Sequence, residues 1–373
     1  MTTARRIALV TEFYYPHLGG VTEHVQNLAE QFMEWGHSVI VITPAMSGGH
    51  RDAPFVRRVG RSVMIPSNGS FARVSVGLAL RRRIERILRE ERIDVVHLHG
   101  CLAPTLGLVA PAAAFRLGIP VVATFHSWFR KSVAYQLLRR PLQRRLDRID
   151  AKIAVSEPVI KAMSRYFRAD WEIIPNGVRL DMFHPDGDRP PGAPGPHGPR
   201  LLFLGRLDPR NGLETLLSAM PRILERHPEA ELVVAGDGPL RPYYRRLAKS
   251  FAGSVRFAGQ IYDERPEYYT SADIYLCPTD KASFGITLLE AMACGTPIIA
   301  SDITGFRELI GGGTEALLVP PHDPSAWSEA TIRLLADSAR RAAMGASGVA
   351  KASLYAWPLV ARRVLAVYER VLR

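Results

Sequence analysis

The chain has 373 residues, 47% hydrophobic and 23% charged. This composition excludes a disordered or fibrous chain and suits two domains of about 150–200 residues each. Three cysteines, Cys101, Cys277 and Cys294, exclude a disulfide scaffold; none has metal-type spacing, and they read as buried thiols of a reducing compartment. The formal charge of +12 is unevenly placed: residues 1–175 carry 25 basic against 14 acidic side chains, and the remainder 23 against 22. A basic first half implies a polyanionic partner, whether nucleic acid, anionic membrane or phosphorylated substrate.

No apolar run approaches the roughly 18–20 residues that span a bilayer. The opening MTTARRIALVTEFYY turns polar and aromatic too soon for a signal peptide, so the expected setting is soluble and cytoplasmic. In chain order, RRIALVTEF predicts a strand, VTEHVQNLAEQFMEWGH an amphipathic helix ending at Gly36, and SVIVITP a second strand. DVVHLHG, IPVVATFH and DAKIAVS repeat the strand form. The rhythm returns in RLLFLGR, GLETLLSAMPRILERHP, AELVVAGDG, SVRFAGQ, DIYLCPT and TPIIASD. Strand, helix and strand at this spacing predict βαβ units. The Pro- and Gly-rich stretch 186–200 reads as a connection. The expectation is two doubly wound α/β domains with parallel sheets and an interdomain cleft, ligands binding at the carboxyl ends of the strands. Residues 1–175 form the first domain and 176–352 the second. Residues 353–373 are one amphipathic helix crossing back onto the first domain.

Several strand ends carry candidate chemistry. Gly19-Gly20 follows the first strand and opens a helix, where backbone N–H groups can approach an anion; with no GxGxxG and no P-loop Lys, it argues against a dehydrogenase or Walker-type NTPase. Arg206, in LGRLDPRNG, can neutralise a diphosphate. The turn Gly236-Asp237-Gly238-Pro239 either lets backbone approach a nucleobase or ribose, or is a plain turn. Ser283-Phe284-Gly285 opens a helix that holds Glu290 among apolar residues; a ribose diol would satisfy that carboxylate better than the alternative, a salt bridge. His126, ending ATFH, is placed to polarise or deprotonate a hydroxyl. Arg82, Arg86 and Arg89 share one helical face, beside Arg81 and Arg83. With the second basic run 130–148 they suggest an anionic membrane surface, nucleic acid being disfavoured by the lack of any recognised module. The DGD at 186–188 is set aside as incidental, and no metal site is expected.

Gly19-Gly20, ATFH, IAVS at 153–156, PNGV at 175–178, LGR ending at Arg206, GDGP at 236–239 and SFGITLLEAMACGTP together resemble the retaining glycosyltransferases of family 4, which have the GT-B fold. Within that family, IPSNGSFAR at 65–73, followed by a basic helix, is similar to the acceptor loop of the branch that mannosylates the inositol of a membrane lipid. The resemblance implies a retaining hexosyltransferase, with mannose ahead of other hexoses, acting at the inner face of the cell membrane. Its donor would be a nucleotide diphosphate sugar, GDP-mannose ahead of a UDP-sugar, with no resident cofactor. Catalysis would fall to His126, Arg206 and Gly20. The donor would meet Gly19, Gly20, Arg206, Arg210, Asn211, Gly236, Lys281, Ser283, Phe284, Gly285 and Glu290. Asn68, Ser70, Arg73 and Lys131 would border the acceptor, and Arg81, Arg82, Arg83, Arg86 and Arg89 the membrane.

Two positions depart from the family pattern: Asn211 stands where a Lys is usual, and Ala282 where a Glu is usual. Arg210 or Lys281 would then have to restore the charge at the diphosphate. The alternative is a transferase using a UDP-sugar and a soluble acceptor, or a catalytically weak homologue that binds sugar nucleotide or lipid.

Overall fold

The computed structural model describes the chain apart from residues 1–2, 18, 46–51, 68–69, 78, 103–104 and 187–197; at 64–67 and 70–74 it describes backbone alone. The chain divides into two compact units, one made of Met1–Asn176 with Trp357–Arg373, the other of Gly177–Ala356.

The first unit is built on strands β1 (Arg6–Thr11), β2 (Ser38–Ala45), β3 (Val56–Ser67), β4 (Ser70–Val76), β5 (Val95–His99), β6 (Val121–Phe125), β7 (Ala151–Ala154) and β8 (Trp171–Ile173). They lie in the order β4-β3-β2-β1-β5-β6-β7-β8. Helices α1 (Gly20–Glu34), α2 (Leu80–Glu90), α3 (Leu106–Arg116), α4 (Val133–Leu137), α5 (Arg139–Leu146) and α6 (Glu157–Ser164) connect them. Ile7, Ala8 and Leu9 in the central β1 are fully buried, because helices cover both faces of a parallel sheet and leave no polar alternation. The expected all-parallel sheet needs one amendment. β3 and β4 pair antiparallel, with Ser67 opposite Ser70.

The second unit holds β9 (Arg200–Leu204), β10 (Glu231–Ala235), β11 (Val255–Gly259), β12 (Ile274–Cys277), β13 (Ile298–Ser301) and β14 (Leu317–Val319), ordered β11-β10-β9-β12-β13-β14. All neighbouring pairs are parallel. Helices α7 (Leu213–Arg226), α8 (Arg241–Leu247), α9 (Arg265–Thr270), α10 (Ile286–Ala293), α11 (Thr304–Ile310), α12 (Pro324–Ala336) and α13 (Ser338–Ser353) flank this sheet. Leu213, Leu216, Leu217, Met220 and Ile223 make the buried stripe of α7, spaced at the helical period.

The last helix, α14 (Trp357–Val371), returns to the first unit. Its Val360, Ala361, Val364, Leu365 and Tyr368 share a core with Val25, Leu28, Ala29 and Phe32 of α1. The single helix expected from Ser353 is interrupted. The Tyr355 carbonyl accepts the Val178 N–H at 2.9 Å, and Val178 and Ala356 form an isolated bridge. That extended pairing is incompatible with helical backbone, so a new helix starts at Trp357, with Pro358 in its first turn where a missing N–H costs nothing.

Candidate active site

In the first unit, period-2 alternation places His97 and His99 on one face of β5. α1 adds His24 to that face, and His126 follows β6 directly. His24, His97 and His99 are each 2% exposed or less, while His126 is half-buried. His99 Nδ1 and His126 Nε2 share a hydrogen bond of 3.0 Å. His97 is held at both nitrogens, by the Tyr368 hydroxyl at 2.6 Å and Thr124 Oγ1 at 2.7 Å. His24 Nδ1 lies 2.9 Å from Asn176 Oδ1, and its ring stands edge-on to those of His126 and Trp357.

Burial lowers the pKa of His24 to about 4 and of His97 to about 3. Burial, then the neighbouring imidazoles, hold His99 and His126 well below the usual histidine range. These rings are therefore neutral at pH 7. His126 is a poor proton acceptor there, and its Nε2 is taken by His99; its remaining polar atoms, Nδ1 and the backbone carbonyl, suit it to orienting a hydroxyl.

The expectation that no metal-type cluster exists rested on spacing along the chain. Folding brings ligand atoms of His24, His99 and His126 within 4.8 Å of one another. The His99–His126 hydrogen bond occupies one nitrogen of each ring, and the group forms a hydrogen-bonded imidazole cluster.

Glu12, just past β1, was not singled out by sequence. It is 4% exposed. It accepts from Ser75 Oγ at 2.5 Å, from the Leu106 N–H at 2.8 Å and from the Thr105 hydroxyl. Burial raises its pKa, with these hydrogen bonds opposing. Glu12 thus ties the end of β1 to the β3–β4 hairpin through Ser75 and to the start of α3. A lone acidic residue after an apolar strand is the signal that could have revealed it.

Gly19 accepts the Glu23 N–H at 3.1 Å. A side chain at Gly19 would meet nothing within 4 Å, so backbone at this helix start is open to a ligand. Of the expected acceptor residues, Asn68 lies outside the described residues, as do the side chains of Ser70 and Arg73; their backbone belongs to β4. Lys131 lines an open pocket of about 580 Å³ with Arg130, Ser132, Arg165 and Tyr166. Arg81, Arg82, Arg83, Arg86 and Arg89 are all exposed. Arg81 pairs with the buried Glu85 at 3.4 Å, and Glu85 also pairs with Arg116 at 3.3 Å.

In the second unit, Arg206 and Arg210 flank the loop after β9. Their Nε atoms lie 3.8 and 3.6 Å from the same Asp208 oxygen. Both side chains stay about half exposed, at 55% and 50%. Asn211 does not supply charge there; its amide donates to the Arg206 carbonyl at 2.8 Å and braces the loop. Lys281 Nζ lies 3.7 Å from Asp280, which His322 approaches equally closely. Of the two cations expected to compensate for Asn211 and Ala282, Arg210 is the one in the Arg206 loop.

The GDGP turn has a structural explanation. Gly205 donates to the Ala235 carbonyl and Leu207 to the Asp237 carbonyl, both at 3.0 Å. A Cβ at Gly236, whose φ is +134°, would lie 2.0 Å from the Gly205 oxygen. Gly236→Ala is therefore expected to cost roughly 2–3 kcal/mol through strain and backbone clash. Urea unfolding should show an earlier midpoint for this variant; an unchanged midpoint would mean the Gly205 contact relaxes freely.

Two further readings change. The Phe284 ring is buried and packs near Tyr355, so only its backbone is available to a donor. Gly285 has φ +102° at the start of α10, a conformation suited to glycine. Glu290, 2% exposed, forms the salt bridge that sequence reasoning ranked second: Arg265 lies 2.7 Å from Oε1, and the Tyr269 hydroxyl donates to Oε2 at 3.0 Å. Arg265 comes from α9, and no local spacing announces that pairing.

Comparison with known proteins identifies the family and the fold. Residues 18–182 match the model of Glycosyltransferase Family 4, and residues 198–337 that of Glycosyl transferases group 1. The phosphatidyl-myo-inositol mannosyltransferase of Mycolicibacterium smegmatis is 36% identical over 98% of this chain and 94% of its own. A GDP-mannose-dependent alpha-(1-6)-phosphatidylinositol monomannoside mannosyltransferase of Mycobacterium tuberculosis is 30% identical over 92% of each. The solved structure of Anabaena Alr3699/HepE in complex with UDP superposes with a TM-score of 0.77 at 18% identity, covering 98% of this chain and 100% of that one; it supports the two-domain GT-B fold. On these matches and this architecture, the chain belongs to the family 4 glycosyltransferases.

Proposed function

We propose that the protein transfers mannose from GDP-mannose to the inositol of a phosphatidylinositol lipid, with retention, at an anionic membrane surface on the cytoplasmic side. The full-length similarity to a phosphatidyl-myo-inositol mannosyltransferase carries this reading. The second unit binds the donor. Arg206 and Arg210, aligned by Asp208, neutralise the diphosphate, with the backbone at Ser283–Gly285 contributing N–H donors. Glu290 is held by Arg265 and Tyr269 and meets the ribose with the lone pairs they leave. His126 orients a hydroxyl of the transferred sugar. The leaving phosphate takes the acceptor proton as the new bond forms on the same face. Asn68, Ser70, Arg73 and Lys131 border the inositol phosphate, and the arginines of α2 contact the membrane.

The test is transfer of labelled mannose from GDP-mannose to phosphatidylinositol vesicles, with UDP-glucose and a soluble inositol phosphate run beside it. Lipid-extractable product from GDP-mannose alone is expected. Ala282 favours a second reading, since no carboxylate stands there to hold sugar hydroxyls. Turnover of a UDP-sugar on the soluble acceptor would support that reading, and nucleotide binding without turnover would show a weak or inactive homologue.

A further inference from the structure

The short helix α4 buries none of its five residues. Val133 and Leu137, one turn apart, are 74% and 77% exposed, and Leu138 follows at 51%. Two adjacent aliphatic side chains left so bare on one helical face form an apolar ridge, unlike singly scattered surface residues.

The ridge is held rigidly. Tyr135 points the other way and packs edge-on against Phe129 and Phe167, with ring centroids 5.4 and 5.2 Å away. The Ser132 N–H donates to the Tyr166 hydroxyl at 2.8 Å, and Arg139 Nε donates to the Tyr166 carbonyl at 2.7 Å. Cations frame the ridge on both sides. Arg130, Lys131 and Arg165 line the 580 Å³ pocket together with Val133 and Leu137. Arg139, Arg140, Arg144 and Arg145 follow on exposed positions of α5. Residues 130–148 hold seven basic side chains against one acidic, Asp147. Among the described residues no ion pair involves Arg130, Lys131, Arg140, Arg144, Arg145 or Arg165.

We propose that α4 and the start of α5 form a membrane-docking element separate from α2. Val133, Leu137 and Leu138 enter the acyl boundary of an anionic leaflet, and the exposed Arg130, Arg165, Arg140, Arg144 and Arg145 meet its phosphates. Apolar side chains flanked by cations match a leaflet, whose surface is anionic and whose interior is apolar. A second copy of the chain would bring like charge against like, and nucleic acid would leave the ridge uncovered. The inference rests on the lipid-directed reading above, and its test is kept apart from the reaction.

Full-length protein is sedimented with vesicles of phosphatidylcholine alone and of phosphatidylcholine with phosphatidylglycerol, neither containing an inositol lipid. The wild type is expected to bind the anionic vesicles and to lose binding as salt is raised. The double variant Val133→Ser/Leu137→Ser should partition at least about tenfold less well at low salt, while its melting temperature and nucleotide affinity stay unchanged. Arg82→Glu/Arg86→Glu on α2 serves as the comparator. Wild-type partitioning by the serine variant overturns the proposal, as does a loss confined to the α2 variant. Concentration-dependent self-association that the serine variant abolishes, without vesicle binding, also overturns it. Docking on phosphatidylglycerol without mannosyl transfer to phosphatidylinositol would leave this element standing and remove the proposed reaction; transfer without the docking effect would do the reverse.

Discussion

Acidification below pH 6.5 is expected to unfold the first unit well before the second. His24 and His97 have pKa values lowered to about 4 and about 3, and His99 lies well below 6.5, all first through burial. Above pH 6.5 these rings are neutral in both the folded and unfolded chain, and their stabilisation is complete. As pH falls from 6.5 toward about 4, the unfolded chain binds protons that the folded cluster refuses. Each ring then removes about 1.4 kcal/mol of stability per pH unit, so three remove about 4 kcal/mol per unit. A domain is stable by about 5–15 kcal/mol, so about one to four pH units exhaust it. Glu12 acts in the opposite sense. Its raised pKa makes the folded state bind a proton first, so it gains stability as pH falls; one such group offsets only part of the loss. Thermal unfolding followed by circular dichroism from pH 7.5 to 4.5 should resolve a transition that moves steeply with pH and another that does not. A single pH-independent transition down to pH 5 would show that the cluster accepts protons without opening. His99→Asn, which removes one titrating ring, should flatten the slope by about one proton.

Replacing Arg206 by alanine is expected to lower kcat by about 10²–10³-fold, the range found when a preorganised donor to developing charge is removed. The guanidinium is already aligned by Asp208 and stays about half exposed, so little reorganisation is needed when charge builds on the departing diphosphate. Arg206→Lys should recover part of the rate, because one point charge replaces a fork of donors. Arg210→Ala should act mainly on donor affinity, raising KM for the nucleotide sugar, with a smaller effect on kcat. Steady-state kinetics with the donor varied separate the two. Equal kcat for Arg206→Ala and wild type would move leaving-group stabilisation to another residue.

Much of the architecture could be read along the chain, because the signals are local. Strands buried on both faces must be continuously apolar, as IALV and LVVA are. Helices that cover them must repeat every three to four residues, as Val25, Leu28, Ala29 and Phe32 do. Strand-end glycines and Arg206 are visible for the same reason, since a parallel sheet turns its chemistry out at the carboxyl ends of its strands. The antiparallel pairing of β3 and β4 was not foreseen, since IPSNGSFAR was read only for its likeness to an acceptor loop.

What local pattern could not carry are contacts between residues distant in sequence. His97 meets Tyr368 across 271 positions, and His24 meets Asn176 across 152. Glu290 finds Arg265 on another helix, and Glu12 joins three segments through one carboxylate. Each satisfies a buried polar group whose partner is chosen by where the sheet and its covering helices bring backbone together. The exposure of Val133 and Leu137 is of the same kind, since VAYQL could equally have faced a core. Local pattern along the chain was enough to define the two α/β units and the family 4 motifs at their strand ends. Which polar residues are buried together, which cations among the described residues have no ion pair and which apolar face is left bare depend on packing across the fold and not on periodicity along it.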